Sequence, residues 1–315
     1  MTPPTRVRIV EVGPRDGLQN EKQPVSTTQK LELIERLVAA GCRTIEATAF
    51  VSPKWTPQMA DHDAVLRGVI RHAGVAYPVL TPNLKGFEAA LAAGAEEVAV
   101  FAAASESFSR KNINCSIAES LVRFEPVMAA ARTAGVKVRG YVSCVLGCPY
   151  EGAVAPQAVS HVAKTLIDMG CYEISLGDTV GVGAPTGVKR LVEAVTHLVP
   201  VTALAGHFHD TYGMAVANVV AAWEMGVAVF DSSVGGLGGC PYAAGASGNV
   251  ATEDLVWLFD RMGVETGIDL ASLVDCAHWI DRILGRPPAS RVATALGTAA
   301  RATPATGSCD DDGAR

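Results

Sequence analysis

The sequence predicts an α/β fold of the TIM type, a (β/α)8 barrel followed by a C-terminal helical extension. Short β-branched runs alternate with segments of helical periodicity, which indicates a parallel sheet with crossover helices. Eight strand-like runs follow one another, and eight strands close a barrel. A doubly wound open sheet is the competing fold, but no GxGxxG motif follows the first strand candidate.

The strand candidates are apolar runs bounded by turn residues. They cover residues 7–12, 44–50, 76–81, 96–102, 137–143, 171–176, 202–210 and 227–234. Segments of helical periodicity between them include 27–41, 83–94 and 156–170, and the first places on one face Leu31, Ile34, Leu37 and Val38. A glycine follows the last periodic residue of five predicted helices, as is typical of helix ends: Gly41, Gly94, Gly135, Gly170 and Gly226.

The region after the eighth strand is expected to be helical and then disordered. Residues 249–263 read as the eighth helix, and 270–285 as a further helix that caps the barrel or forms a dimer surface. No linker divides the chain, so we expect one domain over 1–297, with the helical extension starting at about 264. Residues 298–315 are small, polar and finally acidic, which predicts a disordered tail.

Composition argues against several classes of function. The net charge is −6 without a long run of Lys or Arg, so we expect no nucleic-acid partner. No apolar run reaches the roughly 18 to 20 residues that span a bilayer, so we expect no membrane partner. The first strand begins by Val7, so we expect no leader peptide. The eight cysteines are irregularly spaced and are expected to be reduced, mostly buried thiols of a cytoplasmic protein.

Polar residues collect where the predicted strands end. In a TIM barrel the active site lies at the C-terminal ends of the strands, so residues distant in sequence meet at one mouth. The candidates at these ends are Arg15, Asp16, Gln19, Glu46, Asp178, His207, His209, Cys240, Asn249 and Glu253.

The strongest local signal is the pair His207 and His209. Residues two apart on a strand point to the same side, so both imidazoles can bind one cation. Asp16 is the natural carboxylate ligand, although an Asp before Gly is also a common turn residue. Asn249 could add an amide oxygen, although alone it reads more often as a helix N-cap. Such ligands suit Mg²⁺ or Mn²⁺, with Zn²⁺ also open.

A glycine-rich segment over 235–249 surrounds Cys240. It holds six glycines in fifteen residues, which permits unusual backbone conformations close to a ligand. A lone cysteine is by default a buried structural thiol, but this setting favours a functional one. Glu253 could be a carboxylate favoured by the helix dipole in a first turn. Glu46 lies in an apolar strand and needs a buried partner, for which Arg15 is the obvious candidate.

Five segments together resemble the hydroxymethylglutaryl-CoA lyase family: 11–21, 107–116, 175–183, 206–218 and 233–254. The resemblance runs from about Ile9 to about Arg286. The last segment is the most specific, because its glycine loop with Cys240 distinguishes these lyases from related barrel enzymes. The acidic C-terminal end and the expected absence of a leader resemble a bacterial-type cytosolic form, and Ala244 falls at a position where relatives vary.

The resemblance implies a role for each matching residue. The cation ligands would be Asp16, His207, His209 and Asn249. Arg15 would polarise the substrate thioester carbonyl, Cys240 would be the catalytic thiol, and Glu253 would support it. Further substrate-site positions would be Gln19, Glu46 and Asp178. Arg110 and Lys111 fall in a segment that the family uses near the CoA arm, and their charge suits CoA phosphates.

The implied activity is cleavage of 3-hydroxy-3-methylglutaryl-CoA to acetoacetate and acetyl-CoA, as in leucine degradation and ketone-body formation. A divalent cation, Mg²⁺ or Mn²⁺, would be the cofactor, an acyl-CoA the small-molecule partner, and the protein a homo-oligomer such as a dimer. A longer branched acyl-CoA is an alternative substrate. A condensing enzyme of the homocitrate or isopropylmalate synthase kind, or a silent metal- or CoA-binding protein, is a competing interpretation. The roughly thirty residues after Gly285 cannot form the regulatory domain that such synthases usually carry.

Overall fold

A computed structural model describes residues 2–239 and 248–301, with side chains described up to residue 297. All eight predicted strands are present, and every pairing between them is parallel. They are β1 (Arg8–Glu11), β2 (Thr48–Ala49), β3 (Val79–Leu80), β4 (Glu97–Ala103), β5 (Lys137–Ser143), β6 (Glu173–Asp178), β7 (Leu204–Phe208) and β8 (Val229–Ser232).

The sheet closes into the expected barrel between β1 and the segment that precedes β2. The strands are ordered β1-β8-β7-β6-β5-β4-β3-β2. The backbone N–H of Glu11 donates to the carbonyl of Thr44 at 2.9 Å, and the N–H of Glu46 donates to the carbonyl of Glu11 at 2.9 Å. These bonds join the two ends of the sheet, so the TIM-type architecture is confirmed.

Helices surround the barrel. They are α1 (Thr27–Ala39), α2 (His62–Gly68), α3 (Leu84–Ala92), α4 (Glu106–Ile113), α5 (Ile117–Ala134), α6 (Pro156–Met169), α7 (Pro185–Thr196), α8 (Ala215–Glu224), α9 (Thr252–Arg261), α10 (Leu270–Leu284) and α11 (Arg291–Arg301). None of the helices in the described part of the chain combines the length and apolar character that a membrane crossing requires. The six described cysteines are buried free thiols, as predicted.

Helix α1 shows how sequence sets the start and the buried face of an element. Ser26 caps its N-terminus in a capping box with Gln29. Its buried apolar residues are Leu33, Ile34 and Leu37, whereas two residues of the predicted face, Leu31 and Val38, are only partly buried. The stripe is therefore turned toward Leu33, and α1 packs against α10 and α2. The five glycines predicted to end helices all have positive φ angles: Gly41, Gly94, Gly135, Gly170 and Gly226.

The C-terminal helices form the predicted extension. Helix α10 packs against α1 and α9, and α11 packs against α9 and α10. Helix α11 ends at Arg301, within the segment for which a tail is expected. Residues 302–315, the rest of the expected disordered tail, lie outside the described residues.

Candidate active site

Asp16 is carried by a π-helical turn, Gly13–Gly17, that follows β1. A single-turn π segment is common at functional sites, because its wider turn redirects side chains. The buried Glu11 carboxylate accepts the N–H of Gly13 at 2.8 Å and fixes the start of the turn. At Gly17 a Cβ atom would lie 2.6 Å from Ser233 Oγ, so the turn packs closely against the segment after β8. Asp16 therefore lies in a π-helical turn and not in the simple Asp-Gly turn that the sequence also allowed.

Asp16, His207 and His209 form the cluster predicted from the sequence. One ligand atom from each residue lies within 4.8 Å of the others. His207 lies on β7, and its Nε2 is 3.9 Å from Asp16 Oδ2. Both imidazoles are buried. They lie on the same side of the chain, as their spacing of two residues predicts.

Asn249 joins the same cluster. It pairs with His209 through an isolated antiparallel bridge, and its Nδ2 donates to Asp16 Oδ2 at 2.9 Å. The alternative role as a helix N-cap is wrong, because α9 begins at Thr252 and its N-cap is Ala251. The amide is therefore held at the mouth of the barrel and not at a helix end.

The donor set fits a divalent cation. Among the described residues, the buried Nδ1 of His209 and Oδ1 of Asn249 have no hydrogen-bond partner. Leaving such atoms unpaired is costly, so a further ligand is expected to satisfy them. Imidazole nitrogens, a carboxylate and an amide oxygen are ligands of Mn²⁺ and Mg²⁺ sites that keep open positions for substrate.

The electrostatics of the cluster keep its donors available. Burial would raise the pKa of Asp16, but Arg15, His207 and His209 lower it to about 2, so the carboxylate stays ionised. Burial, with a smaller contribution from His207, lowers the pKa of His209 to about 4. His209 is therefore neutral near pH 7, which is the form that binds a metal.

The predicted ion pair between Arg15 and Glu46 is present. Arg15 Nε donates to Glu46 Oε2 at 2.7 Å, and Arg15 Nη1 donates to Asp16 Oδ1 at 2.6 Å. Burial opposes the charge of the guanidinium, yet Glu46 and Asp16 raise the pKa of Arg15. The Arg15 guanidinium therefore lies beside the candidate metal cluster with a fixed orientation.

Sequence reasoning missed a buried charged network beneath the cluster. Asp231 on β8 accepts from both terminal nitrogens of Arg139 on β5, with Nη2 at 2.7 Å from Oδ1 and Nη1 at 3.2 Å from Oδ2. Arg139 Nε also donates to Glu173 at 2.8 Å, and its Nη1 donates to the Tyr141 hydroxyl at 2.9 Å. The Asp231 Oδ2 atom also lies 3.1 Å from His207 Nδ1. The signal in the sequence is a charged residue inside an apolar strand, which Asp231 and Arg139 share with Glu46.

Glu253 lies in the first turn of α9 and is fully buried. Its carboxylate accepts the N–H of Gly235 at 2.9 Å, at the start of the glycine-rich segment. Burial raises its pKa well above the usual range. The helix dipole suits an acidic residue at this position, but the carboxylate also holds the backbone that leads toward Cys240. Cys240 and Ala244 themselves lie outside the described residues.

The remaining predicted residues lie around the mouth. Asp178 ends β6, and its two oxygens accept the backbone N–H groups of Val182 and Gly183 at 3.2 and 2.8 Å. Gln19 is half-buried directly after the π-helical turn. Two cationic residues, Arg110 and Lys111, are exposed on α4. The Lys111 ammonium lies 3.9 Å from the ring centroid of Tyr150.

Known proteins share this sequence and fold. A model of the HMGL-like family matches residues 6–280. The mitochondrial hydroxymethylglutaryl-CoA lyase of Rattus norvegicus is 62% identical over 294 residues, 93% of this chain and 90% of the relative. The 3-hydroxy-3-isohexenylglutaryl-CoA/hydroxymethylglutaryl-CoA lyase of Pseudomonas aeruginosa is 59% identical over 296 residues, 94% of this chain and 99% of the relative. A crystal structure of hydroxymethylglutaryl-CoA lyase from P. aeruginosa has a TM-score of 0.93 and 58% identity, and the match covers 95% of this chain and 100% of that chain.

These matches extend over the whole candidate site. The region matched by the family model starts before Arg15 and ends after Glu253, so it includes every residue of the metal cluster and of the charged groups around it. The match between the solved structure and this chain covers the barrel as well as the helical extension. The chain therefore belongs to the hydroxymethylglutaryl-CoA lyase family.

Proposed function

We propose that this protein is a carbon–carbon lyase that cleaves 3-hydroxy-3-methylglutaryl-CoA to acetoacetate and acetyl-CoA with the aid of a divalent cation. The observation that carries the proposal is the cluster of Asp16, His207 and His209 at the mouth of a barrel whose relatives carry that name. The buried positive charge of Arg15 beside this cluster would stabilise the negative charge that develops as the cleavage forms an enolate.

The cation would be Mg²⁺ or Mn²⁺, held by Asp16, His207, His209 and Asn249. When bound, it supplies Lewis acidity and a template for the oxygens of the substrate. The unpartnered buried atoms of His209 and Asn249 support this ligand set. Which of the two ions acts in the cell is decided by availability and site geometry, since both accept these donors.

The residues of the chain would carry the retro-Claisen step between them. The tertiary hydroxyl of the substrate loses its proton to a base, for which Asp16 and His207 are the two candidates. The carbon–carbon bond then breaks, its electron pair forms the acetyl-CoA enolate, and the remaining alkoxide carbon becomes the ketone of acetoacetate. Arg15 faces the developing negative charge, and Glu46 holds the guanidinium in place at 2.7 Å.

The enolate finally takes up a proton at carbon, for which Cys240 is the proposed acid. Glu253 supports this assignment, because its buried carboxylate holds the backbone N–H of Gly235 near the start of the same segment. Gln19 and Asp178 would contribute to the substrate site, Asp178 by fixing the loop after β6. Arg110 and Lys111, exposed on α4, would attract the phosphates of CoA.

A cleavage assay tests the proposal. We would measure acetyl-CoA release from 3-hydroxy-3-methylglutaryl-CoA under a thiol reductant, with Mg²⁺ or Mn²⁺ and with EDTA. Cation-dependent release is expected, and Cys240→Ala should lower the rate by about two orders of magnitude or more. Cys171→Ala, the same change at a cysteine before β6 and away from the mouth, is the matched control and should stay near wild type. No release by folded, cation-loaded protein would refute the assignment.

A longer branched substrate is a second candidate, because the P. aeruginosa relative is named for both 3-hydroxy-3-isohexenylglutaryl-CoA and the methyl compound. Comparing kcat/KM for the two acyl-CoA esters decides between them. We also propose a cytoplasmic location, supported by the free thiols of the described cysteines, and a homodimer, which light scattering in solution would test. A role in leucine degradation and ketone-body formation is proposed with the same substrate.

A further inference from the structure

We propose that Asp231 is a positioning residue that orients His207 for the cation. It would hold the imidazole as the tautomer with the proton on Nδ1, so that the lone pair of Nε2 faces Asp16. The inference rests on the proposed function, since it takes the cluster at the barrel mouth to be the cation site.

The geometry gives the two ring nitrogens of His207 different partners. Nδ1 lies 3.1 Å from Asp231 Oδ2, a hydrogen-bond distance. Nε2 lies on the other side of the ring, 3.9 Å from Asp16 Oδ2. A cation between Nε2 and the Asp16 carboxylate would be bound by an imidazole whose other nitrogen is held by a carboxylate. That arrangement is general among metal-binding histidines.

The other partners of Asp231 decide which ring nitrogen carries the proton. Arg139 donates two N–H groups to this carboxylate, and an arginine side chain has no acceptor. Ser175 Oγ donates to the same Oδ2 at 2.7 Å. The carboxylate is buried against a guanidinium and is therefore ionised, so it can only accept. His207 must donate to it through Nδ1, so in the neutral imidazole Nε2 carries the lone pair and no proton.

The backbone and neighbouring rings fix this contact. His207 and Asp231 are register partners in the β7–β8 ladder, so their spacing is set by the sheet. Tyr141 packs against the imidazole edge-on, with ring centroids 6.2 Å apart and an interplanar angle of 86°. A site that is built on strands holds its ligands more tightly than one on loops. Asp231 thus contacts the cation site through His207.

A purely structural role for Asp231 makes a different prediction, and Glu173 provides the control. Both carboxylates are buried and both bind Arg139, but among these contacts only Asp231 reaches His207. Asp231→Asn and Glu173→Gln each remove one negative charge from the same network. Should Asp231→Asn fold poorly, the double variant Arg139→Gln/Asp231→Asn removes both charges and leaves no unpaired buried cation.

Two measurements test the inference. Long-range ¹⁵N–¹H correlation spectra of the metal-free protein, with His207 assigned from His207→Gln, report which ring nitrogen is protonated. Loss of the free Mn²⁺ signal in electron paramagnetic resonance reports Mn²⁺ affinity. We expect Nδ1–H in the wild type and a mixed tautomer in Asp231→Asn, whose Mn²⁺ dissociation constant should rise about 10- to 100-fold. Glu173→Gln should keep the wild-type tautomer and a dissociation constant within about threefold.

The outcomes separate this inference from the proposed function. A neutral His207 ring with its single proton on Nε2 in the wild type, or equal losses of Mn²⁺ affinity in Asp231→Asn and Glu173→Gln, would overturn the positioning role while leaving cleavage intact. Wild-type protein with Nδ1–H that fails to bind Mn²⁺ would overturn the cation site and the positioning role together. Mn²⁺ binding with the expected variant effects, but without acetyl-CoA release, would contradict the proposed reaction alone.

Discussion

Replacing Arg15 by Met tests how the buried charges at the barrel mouth are held. The substitution removes the guanidinium that contacts Glu46 at 2.7 Å and Asp16 at 2.6 Å. Glu46 has no exposed surface and would remain as a buried carboxylate without its cation, whereas the Asp16 side chain is 22% exposed and loses less. Breaking a buried pair from one side costs about 3 to 5 kcal/mol in the free energy of unfolding.

The loss of stability in Arg15→Met should depend on pH, because Glu46 can become neutral by taking up a proton. Burial raises the pKa of Glu46 even in the presence of Arg15, and removing Arg15 raises it further. The folded state of the variant then binds more protons than the unfolded state between the ordinary glutamate pKa and the raised one. Stability therefore falls as pH rises through that window, by about 1.4 kcal/mol per pH unit at most.

Urea unfolding at pH 5.5 and pH 7.5 measures this effect. We expect Arg15→Met to lose more stability at pH 7.5, and Arg15→Met/Glu46→Gln to recover part of the loss. Arg67→Met is the matched control, because Arg67 pairs with Asp63 on the surface of α2, with more than half of each side chain exposed. It should change stability by less than about 0.5 kcal/mol. A cost for Arg15→Met no larger than this would refute the reasoning.

Three further changes have expected outcomes. Gly17→Ala brings a Cβ within 2.6 Å of Ser233 Oγ and should cost about 1 to 3 kcal/mol of stability by overpacking, measured by urea unfolding. Burial raises the Glu11 pKa from 4.5 to about 7, so wild-type stability should fall by up to about 3 kcal/mol as pH rises between those values. Glu11→Gln should reduce that slope in unfolding curves from pH 5 to 8. Asp178→Ala leaves two backbone N–H groups of its loop unpaired and should cost about 1 to 3 kcal/mol, with a raised KM in the cleavage assay.

Each of these predictions has a control within the chain. At Gly187, near the start of α7, the nearest atom to an added Cβ is 3.6 Å away, so Gly187→Ala should not destabilise. Glu265→Gln and Asp168→Ala change carboxylates whose side chains are largely exposed, at 77% and 58%. The pH-dependence prediction fails if Glu11→Gln retains the wild-type slope, and the other two fail if target and control variants behave alike.

The sequence predicts the strands well because buried parallel strands are nearly continuous apolar runs. Their lengths were less predictable. The run 76–81 gives a ladder over Val79–Leu80 alone, since Pro78 has no N–H to donate. In the run 44–50, the first residues bond to β1 and the later ones to β3, so the regular strand β2 is short. Periodicity reports which residues are buried but not where each ladder begins.

The metal cluster was predictable, whereas its support was not. The spacing of His207 and His209, with the strand-end position of Asp16, indicates the cluster from local pattern alone. Asp231 and Arg139 sit within apolar strands, and their partnership depends on how strands distant in sequence align across the barrel. Such register is a property of the closed sheet and has no local signal.

The barrel wall has a seam where β1 meets residues 44–46. The backbone ladder is short there: the N–H of Glu11 donates to the carbonyl of Thr44, and the N–H of Glu46 donates to the carbonyl of Glu11. Regions with few backbone hydrogen bonds open most readily in native-state hydrogen exchange. The Arg15–Glu46 ion pair joins the two sides of this seam through side chains, and the π-helical turn with Asp16 lies directly beside it. A ligand that occupies the mouth would therefore slow amide exchange more around residues 44–50 than in the long strands β4 and β5.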